Sequence, residues 1–256
     1  MTRRIAHLSD LHFGAEDPAV VASFQQELAG WAPDIIAVSG DLTQGARHAE
    51  FSAAMDFLRG LPAPCFAVPG NHDISPYNLM ERFTDPYRRW RQHVGLATEP
   101  VFEDAEIALV GMNTARRAGL YLNWARGRVS GARLAAAEGR LAALPPGLCR
   151  IVVAHHPFLA PVLRPGARLV GNAEPALAAF ARHGVGLVLT GHLHLGDVRP
   201  VREGGLLVAQ AGSATSTRLR GTPNAYNRIL VENGRARITP RLWHGTGWQD
   251  LSVATA

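Results

Sequence analysis

Cysteine is scarce in this chain: Cys65 and Cys149 are the two present in 256 residues. That excludes a disulfide framework, and each thiol, opening a short apolar run, reads as buried and inert. Lysine is absent, so arginine supplies the positive charge behind the formal +5. The arginines are dispersed rather than gathered into a stripe. This suits an anionic substrate, and equally a compositional bias towards Arg and Ala, but it offers no surface for a nucleic-acid duplex. Hydrophobic runs are short, and none approaches the roughly 20 residues that cross a bilayer. The N-terminus reaches Ser9-Asp10 too early for a secretory leader, which predicts a cytoplasmic protein.

What is present suffices for a full core: 47% hydrophobic and 18% charged residues are ordinary for a globular enzyme. One domain over 1–256 is expected, since no linker or internal repeat interrupts the chain. The first part alternates strand and helix patterns: strand 4–9, helix 17–30 with Val20, Val21, Phe24 and Leu28, strand 35–39, helix 47–59 with Phe51, Met55, Phe57 and Leu58, strand 65–68, and a helix over 77–94. This rhythm predicts a parallel, doubly wound sheet with helices on both faces and ligands at the strands' carboxyl ends. Further on, strands at 100–103 and 107–112, a helix at 130–143, a strand at 150–154, a helix near 174–183 and a strand at 185–190 follow. Short strands at 197–201, 206–210, 225–232 and 235–243 suit antiparallel closure of a second sheet. The expected class is α/β: a four-layer α-β-β-α sandwich, two mixed sheets flanked by helices, with the site at the strands' C-terminal ends.

Polar clusters fall at five strand ends: Asp10-Leu11-His12, Gly40-Asp41, Gly70-Asn71-His72-Asp73, His155-His156-Pro157 and Gly191-His192-Leu193-His194. Singly each is weak, because Gly-Asp marks turns, Asn-His-Asp after Pro-Gly can cap a helix, and a lone His pair is often structural. Jointly, Asp10, His12, Asp41, Asn71, His155, His192 and His194 supply imidazole nitrogens and hard oxygens with no thiolate. Such a set favours Mn, Fe, Zn or Co over soft metals or a magnesium cage. Seven ligands exceed one ion's needs and suit two ions roughly 3.5–4 Å apart with a shared carboxylate.

In order and approximate spacing these five blocks resemble the calcineurin-like metallophosphoesterase superfamily. Within it, His-His-Pro with Gly-His-x-His is similar to the class III cyclic nucleotide phosphodiesterases and glycerophosphodiesterases. The resemblance implies that Asp10, His12 and His194 hold one metal, that Asn71, His155 and His192 hold the other, and that Asp41 bridges. It implies His72 as the group that contacts phosphate and assists the leaving oxygen, with Asp73 orienting its ring; Asp73 as a helix cap is the alternative. His156 reads as a neighbour of the ligand His155 or a substrate contact. A water between two cations would give hydroxide near neutral pH for in-line attack on phosphorus, with His72, as imidazolium, protonating the alkoxide.

Substrate contacts are expected from Arg116 and Arg117 after the 107–112 strand, and from Arg126, Arg128, Arg164 and Arg168 in loops 115–129 and 157–172, where solvated loop charge is the plain alternative. Tyr77, Tyr121 and Trp124 could stack on a base or pack, while Tyr87 and Trp90 share a helical face and read as core. Gly212-Ser213-Ala214-Thr215-Ser216 is similar to the tail block of bacterial cyclic nucleotide phosphodiesterases, but is short. The expected partner is a small-molecule phosphoester, and a homo-oligomer is compatible with the sequence. The leading function is hydrolysis of small phosphodiesters, cyclic nucleotides among them. A phosphomonoester or a lipid-linked pyrophosphate is the alternative, favoured by apolar Leu159, Pro161, Val162 and Leu163. A non-catalytic scaffold would be expected to lack ligands, and here every position is filled.

Overall fold

A computed structural model describes residues 2–117, 125–201, 205–251 and 254–255. The order is β1 (Arg3–Leu8), α1 (Pro18–Trp31), β2 (Ile35–Val38), α2 (His48–Arg59), β3 (Cys65–Ala67), α3 (Leu79–Thr84), α4 (Arg88–His93), β4 (Val101–Glu103), β5 (Ile107–Met112), α5 (Gly131–Ala143), β6 (Cys149–Ala154), α6 (Ala173–Arg182), β7 (Val185–Thr190), β8 (Asp197–Pro200), β9 (Leu207–Gln210), β10 (Ala225–Glu232), β11 (Arg235–Trp243), β12 (Trp248–Asp250) and β13 (Ala254–Thr255). One sheet runs β12-β11-β10-β1-β2-β3, with β13 also on β11; the other runs β4-β5-β6-β7-β9-β8.

Three apolar layers follow from side-chain alternation along these strands. Ile5, Ile35 and Ala37 of the first sheet meet Leu109, Ile151, Val153, Leu187 and Leu189 of the second in a core between the sheets. Their neighbours Ala6, Leu8, Ile36 and Val38 face the other way, onto Phe24 and Leu28 of α1 and Phe51 and Phe57 of α2. Val110, Val152 and Val188 likewise turn outwards to Leu141 of α5 and Phe180 of α6. The fold is therefore the expected four-layer α-β-β-α sandwich. Helices on both faces of one doubly wound sheet are not found: each sheet gives one face to helices and the other to its partner sheet.

Two expectations fail locally. The helix over 77–94 is broken into α3 and α4, because Pro86 cannot donate in a helix and drives Asp85 extended, at φ −147°. The four late strands do not all close the second sheet. Although β8 and β9 join it, β10 returns to the first sheet and pairs antiparallel with β1, setting Ile5 opposite Ile229. Apolar alternation in β10 fits either sheet, so pattern alone cannot choose. Trp90 is wholly buried, as expected, and Tyr87 donates to Asn113 Oδ1 and the Ala115 carbonyl. Tyr77 is 70% exposed beneath the Arg47 guanidinium, and Tyr121 and Trp124 lie outside the described residues. Cys149 is buried but Cys65 is exposed, a correction; both are free, and desolvation pushes the two thiols up, to about 11 and about 12 respectively. Among the described residues no helix is long and apolar enough to cross a membrane.

Candidate metal centre

Strands β1, β2 and β3 run parallel, as do β5, β6 and β7. Their carboxyl ends open at one edge of the sandwich. There the loops deliver Asp10 and His12, Asp41, Asn71 and His72, Asn113 and Thr114, His155 and His156, and His192 and His194. Hydrogen bonds knit loop to loop: Asp10 N–H to Gly40 O, His12 N–H to Asp41 O, and, across the sheets, His192 N–H to Asp10 Oδ2 at 2.8 Å.

The backbone is strained where these side chains converge. Asp10, His12, Asp41, His192 and His194 all have φ between 48° and 75°, five of the nine non-glycine residues in the left-handed region among the described residues. Such conformations persist only where surrounding structure enforces them. This curl lets His192 and His194, two apart, both serve the site. Glycine enforces closeness at two points: a Cβ on Gly70 would strike the Asp41 carboxylate, and one on Gly191 would strike Ser9 Oγ and Asp10 Oδ2. Gly191→Ala is accordingly expected to displace Asp10 and weaken metal binding by about 10- to 100-fold, the usual cost of disturbing a ligand's support. Elemental analysis and metal titration would check this; unchanged affinity would mean the loop relaxes freely.

The cluster is buried and built of donors facing inward. His194 Nε2 lies 3.2 Å and His12 Nε2 3.6 Å from Asp10 Oδ1, with the two imidazole nitrogens 3.1 Å apart. His155 Nε2 is 3.2 Å and His12 Nε2 3.8 Å from Asp41 Oδ2, and His192 Nδ1 is 3.3 Å from His155 Nε2. The outer nitrogens are tied to carbonyls: His12 Nδ1–H to Thr43, His155 Nδ1–H to Ser39 and His194 Nδ1–H to Arg218. Each inner Nε2 is thereby left as a lone pair, the tautomer a metal requires. Asp10 Oδ1 and Asn71 Oδ1 are buried without a hydrogen-bond partner. Asp10-His12-His194, Asp10-Asp41-His155 and His155-His156-His192 each bring their donor atoms within 4.8 Å of one another. Orphaned oxygens and opposed lone pairs are what a cation would satisfy, so the residues present fit metal ions.

Charges within the cluster pull hard on one another. Burial raises the Asp10 and Asp41 carboxyls, but the neighbouring imidazoles outweigh it and hold both below the carboxylate range. Burial disfavours a charged His155, yet Asp41 and then Asp10 lift it to about 9. A proton there stands where a cation could stand. Burial, aided by the His155 charge, takes His192 down to about 3.

His72 joins the cluster edge-on to His12, with centroids 4.8 Å apart. Its Nδ1–H donates to the Gln44 carbonyl at 2.7 Å and its backbone N–H to Asp41 Oδ1 at 2.8 Å. The expected orienting contact from Asp73 is absent among the described residues. The Asp73 carboxylate instead accepts from the N–H groups of Leu42, Thr43 and Gly70 and from Thr43 Oγ1, latching two site loops together. Nor does it cap a helix, since α3 begins at Leu79 behind an Asn78 cap. The Gln44 carbonyl does the orienting. Arg218 Nη1 donates to Gln44 Oε1 at 3.1 Å and lies 3.2 Å from His72 Nε2, which sets a guanidinium beside that ring nitrogen.

Sequence reasoning missed Arg218, though a signal existed. It lies just beyond Gly212–Ser216, a stretch that braces the first site loop through Ser213 Oγ to Asp10 O and Thr215 Oγ1 to Leu11 O. Arg116 and Arg117 are not brought to the centre. They line a separate cavity of about 510 Å³ with Pro86, Tyr87, Arg128 and Arg133, and both carbonyls accept from the Arg82 guanidinium. His156 lies beside His192, in a cavity shared with Arg126, Arg164 and Arg168. Residues 118–124 of the loop expected to cover the site are outside the described residues.

A two-sheet sandwich with an all-nitrogen-and-oxygen donor cluster at its parallel strand ends defines a metal-dependent phosphoesterase class. The calcineurin-like phosphoesterase family matches residues 3–196, and the chain belongs to it as a hydrolase of phosphoesters. The chain is 28% identical over 205 residues to a probable cyclic nucleotide phosphodiesterase of Synechococcus sp., covering 76% of this chain and 74% of that protein. It is 26% identical over 208 residues to the 3′,5′-cyclic adenosine monophosphate phosphodiesterase CpdA of Escherichia coli, covering 75% and 69%. A dimetal phosphatase from Danio rerio superposes with a TM-score of 0.66 over 98% of this chain and 99% of that one, at 13% identity, a likeness of fold.

Proposed function

We propose that the protein is a dinuclear metal-dependent phosphodiesterase acting on small organic phosphodiesters, cyclic nucleotides among them. One observation carries this: Asp41 shares one donor group with Asp10 and His155 and another with His12 and His72, and two oxygens on the site loops, Asp10 Oδ1 and Asn71 Oδ1, are buried with no hydrogen-bond partner. Asp10, His12 and His194 would hold one ion, Asn71, His155 and His192 the other, and Asp41 both. Ions bound there supply Lewis-acid charge for the phosphoryl oxygens and make water acidic enough to serve as nucleophile near neutral pH.

The protein's own groups do the rest. Thr43 and Ser39 carbonyls keep the histidine lone pairs aimed inward. Arg218, poised at the cluster's edge, would turn onto a phosphoryl oxygen, where a guanidinium binds strongly. With Nδ1–H held by the Gln44 carbonyl, His72 would take a proton from solvent on Nε2 once Arg218 has moved, and give that proton to the leaving oxygen. A correctly placed general acid contributes about 10²- to 10⁴-fold.

A second reading, a lipid-linked pyrophosphate, is favoured by one feature. An apolar cavity of about 940 Å³, lined by Phe158, Leu159, Leu177 and Val201, shares Leu169 with the arginine-rich cavity. Metal analysis with hydrolysis of bis(p-nitrophenyl) phosphate, p-nitrophenyl phosphate and an alkyl pyrophosphate, with Mn²⁺ added, separates the readings. Diester turnover at least about tenfold faster than monoester is the expected result. Monoester or pyrophosphate preference would move the assignment, and no turnover after metal reconstitution would overturn it.

A further inference from the structure

A cavity of about 380 Å³ opens directly beside His192, and Arg126, Arg164, Arg168 and Arg220 line it together with His156. The four arginines arrive on three separate loops, and all are solvent-exposed. No carboxylate lines the cavity, and among the described residues none of the four guanidinium groups is paired with one. Four cations brought by different loops to one cavity without a carboxylate give it a positive potential that suits an anion. His192 itself lines the cavity, which makes it continuous with the metal cluster.

A second observation is independent of the arginines. His156 is 2% exposed, and its Nε2 is buried without a hydrogen-bond partner. Thr114 Oγ1 accepts the His156 backbone N–H at 3.2 Å and sits 2.8 Å from Nδ1. His156 thus lines the cavity with its Nε2 unpaired, in a position that Gly127 permits because any Cβ there would strike the ring. Four guanidinium groups around one cavity describe a receptor for a phosphate.

We propose that this cavity is a second anion subsite, which holds a phosphate of the substrate other than the one being hydrolysed. The preferred substrate is then a small phosphodiester bearing an additional phosphate on one ester arm. This deepens the phosphodiesterase reading and rests on it. Two esters isolate the effect: thymidine 5′-(p-nitrophenyl phosphate), and the same ester carrying a 3′-phosphate. In the manganese-loaded enzyme the 3′-phosphate should raise kcat/KM by about tenfold or more, the usual worth of charge-assisted hydrogen bonds. In Arg164→Gln/Arg168→Gln the ratio between the two esters should fall towards one, and Arg164→Lys/Arg168→Lys should recover part of it. A binding measurement stands apart from turnover: titration of inorganic pyrophosphate into metal-free protein should show at least about tenfold weaker binding in the double Gln variant.

A ratio near one in the wild type, or pyrophosphate binding indifferent to the two arginines, would overturn the subsite. Failure of the enzyme to hydrolyse either ester while pyrophosphate binding still depends on the arginines would instead overturn the phosphodiesterase reading and leave the anion site standing.

Discussion

Replacing Asp41 by Asn is expected to leave the fold intact and lower kcat by on the order of 10³-fold, with metal content falling from two ions per chain to at most one. The substitution is nearly isosteric. Asn tolerates the left-handed backbone at φ 54°, and its side-chain oxygen can still accept the His72 N–H that Asp41 Oδ1 takes at 2.8 Å. What disappears is a negative charge that is 1% exposed and lies within 3.2–3.8 Å of His155 and His12. A buried position without that charge cannot offset two cations held at close range. Elemental analysis, thermal melting and steady-state kinetics on one preparation separate the effects. Retention of two ions and a rate within tenfold of wild type would show that Asp41 does not bridge.

The second large effect concerns stability in acid, and His7 carries it. This ring is wholly buried, and Asn227 Nδ2 donates to its Nδ1 at 3.1 Å while its Nε2 meets Ser39 Oγ at 3.0 Å. The amide can only donate there, so Nδ1 must accept and the proton sits on Nε2. A second proton would face the amide N–H inside an apolar layer. Burial accordingly takes the pKa down to about 3, with Asp10 opposing weakly. The unfolded chain binds the proton near 6.5, the native state only near 3, so His7 favours folding fully above pH 6.5 and progressively less as pH falls towards 3. Within that window its contribution changes by about 1.4 kcal/mol per pH unit. Denaturant titrations of wild type and His7→Gln at pH 7, 6, 5 and 4 should converge as pH falls, because only the wild type loses this term. Parallel curves would place the His7 pKa near its ordinary value.

The sequence by itself determined the sandwich class, the strand ends at which polar residues cluster, and the seven candidate donors carried on the loops at one edge. These are local properties. Period-two and helical alternation mark the elements, and Asp, Asn and His stand out immediately after apolar runs because nothing in a strand's packing calls for them there. Even the broken helix was legible in principle, since Pro86 stands in the middle of it.

Tertiary structure decided what depends on residues distant in sequence. It sent β10 back to β1, since an alternating strand fits either sheet and only the space left between Ile5 and its neighbours selects one. Asp73 went to the Thr43 loop rather than to the adjacent His72, because three backbone N–H groups and a hydroxyl there satisfy a buried carboxylate better than one imidazole can. Arg218 was brought to His72 across a sequence separation of 146. Arg116 and Arg117 were drawn away from the centre, and Arg220 was set beside Arg164 and Arg168. Solvated arginines carry no pattern in sequence, so their convergence becomes visible only when the loops that bear them are folded against a common edge.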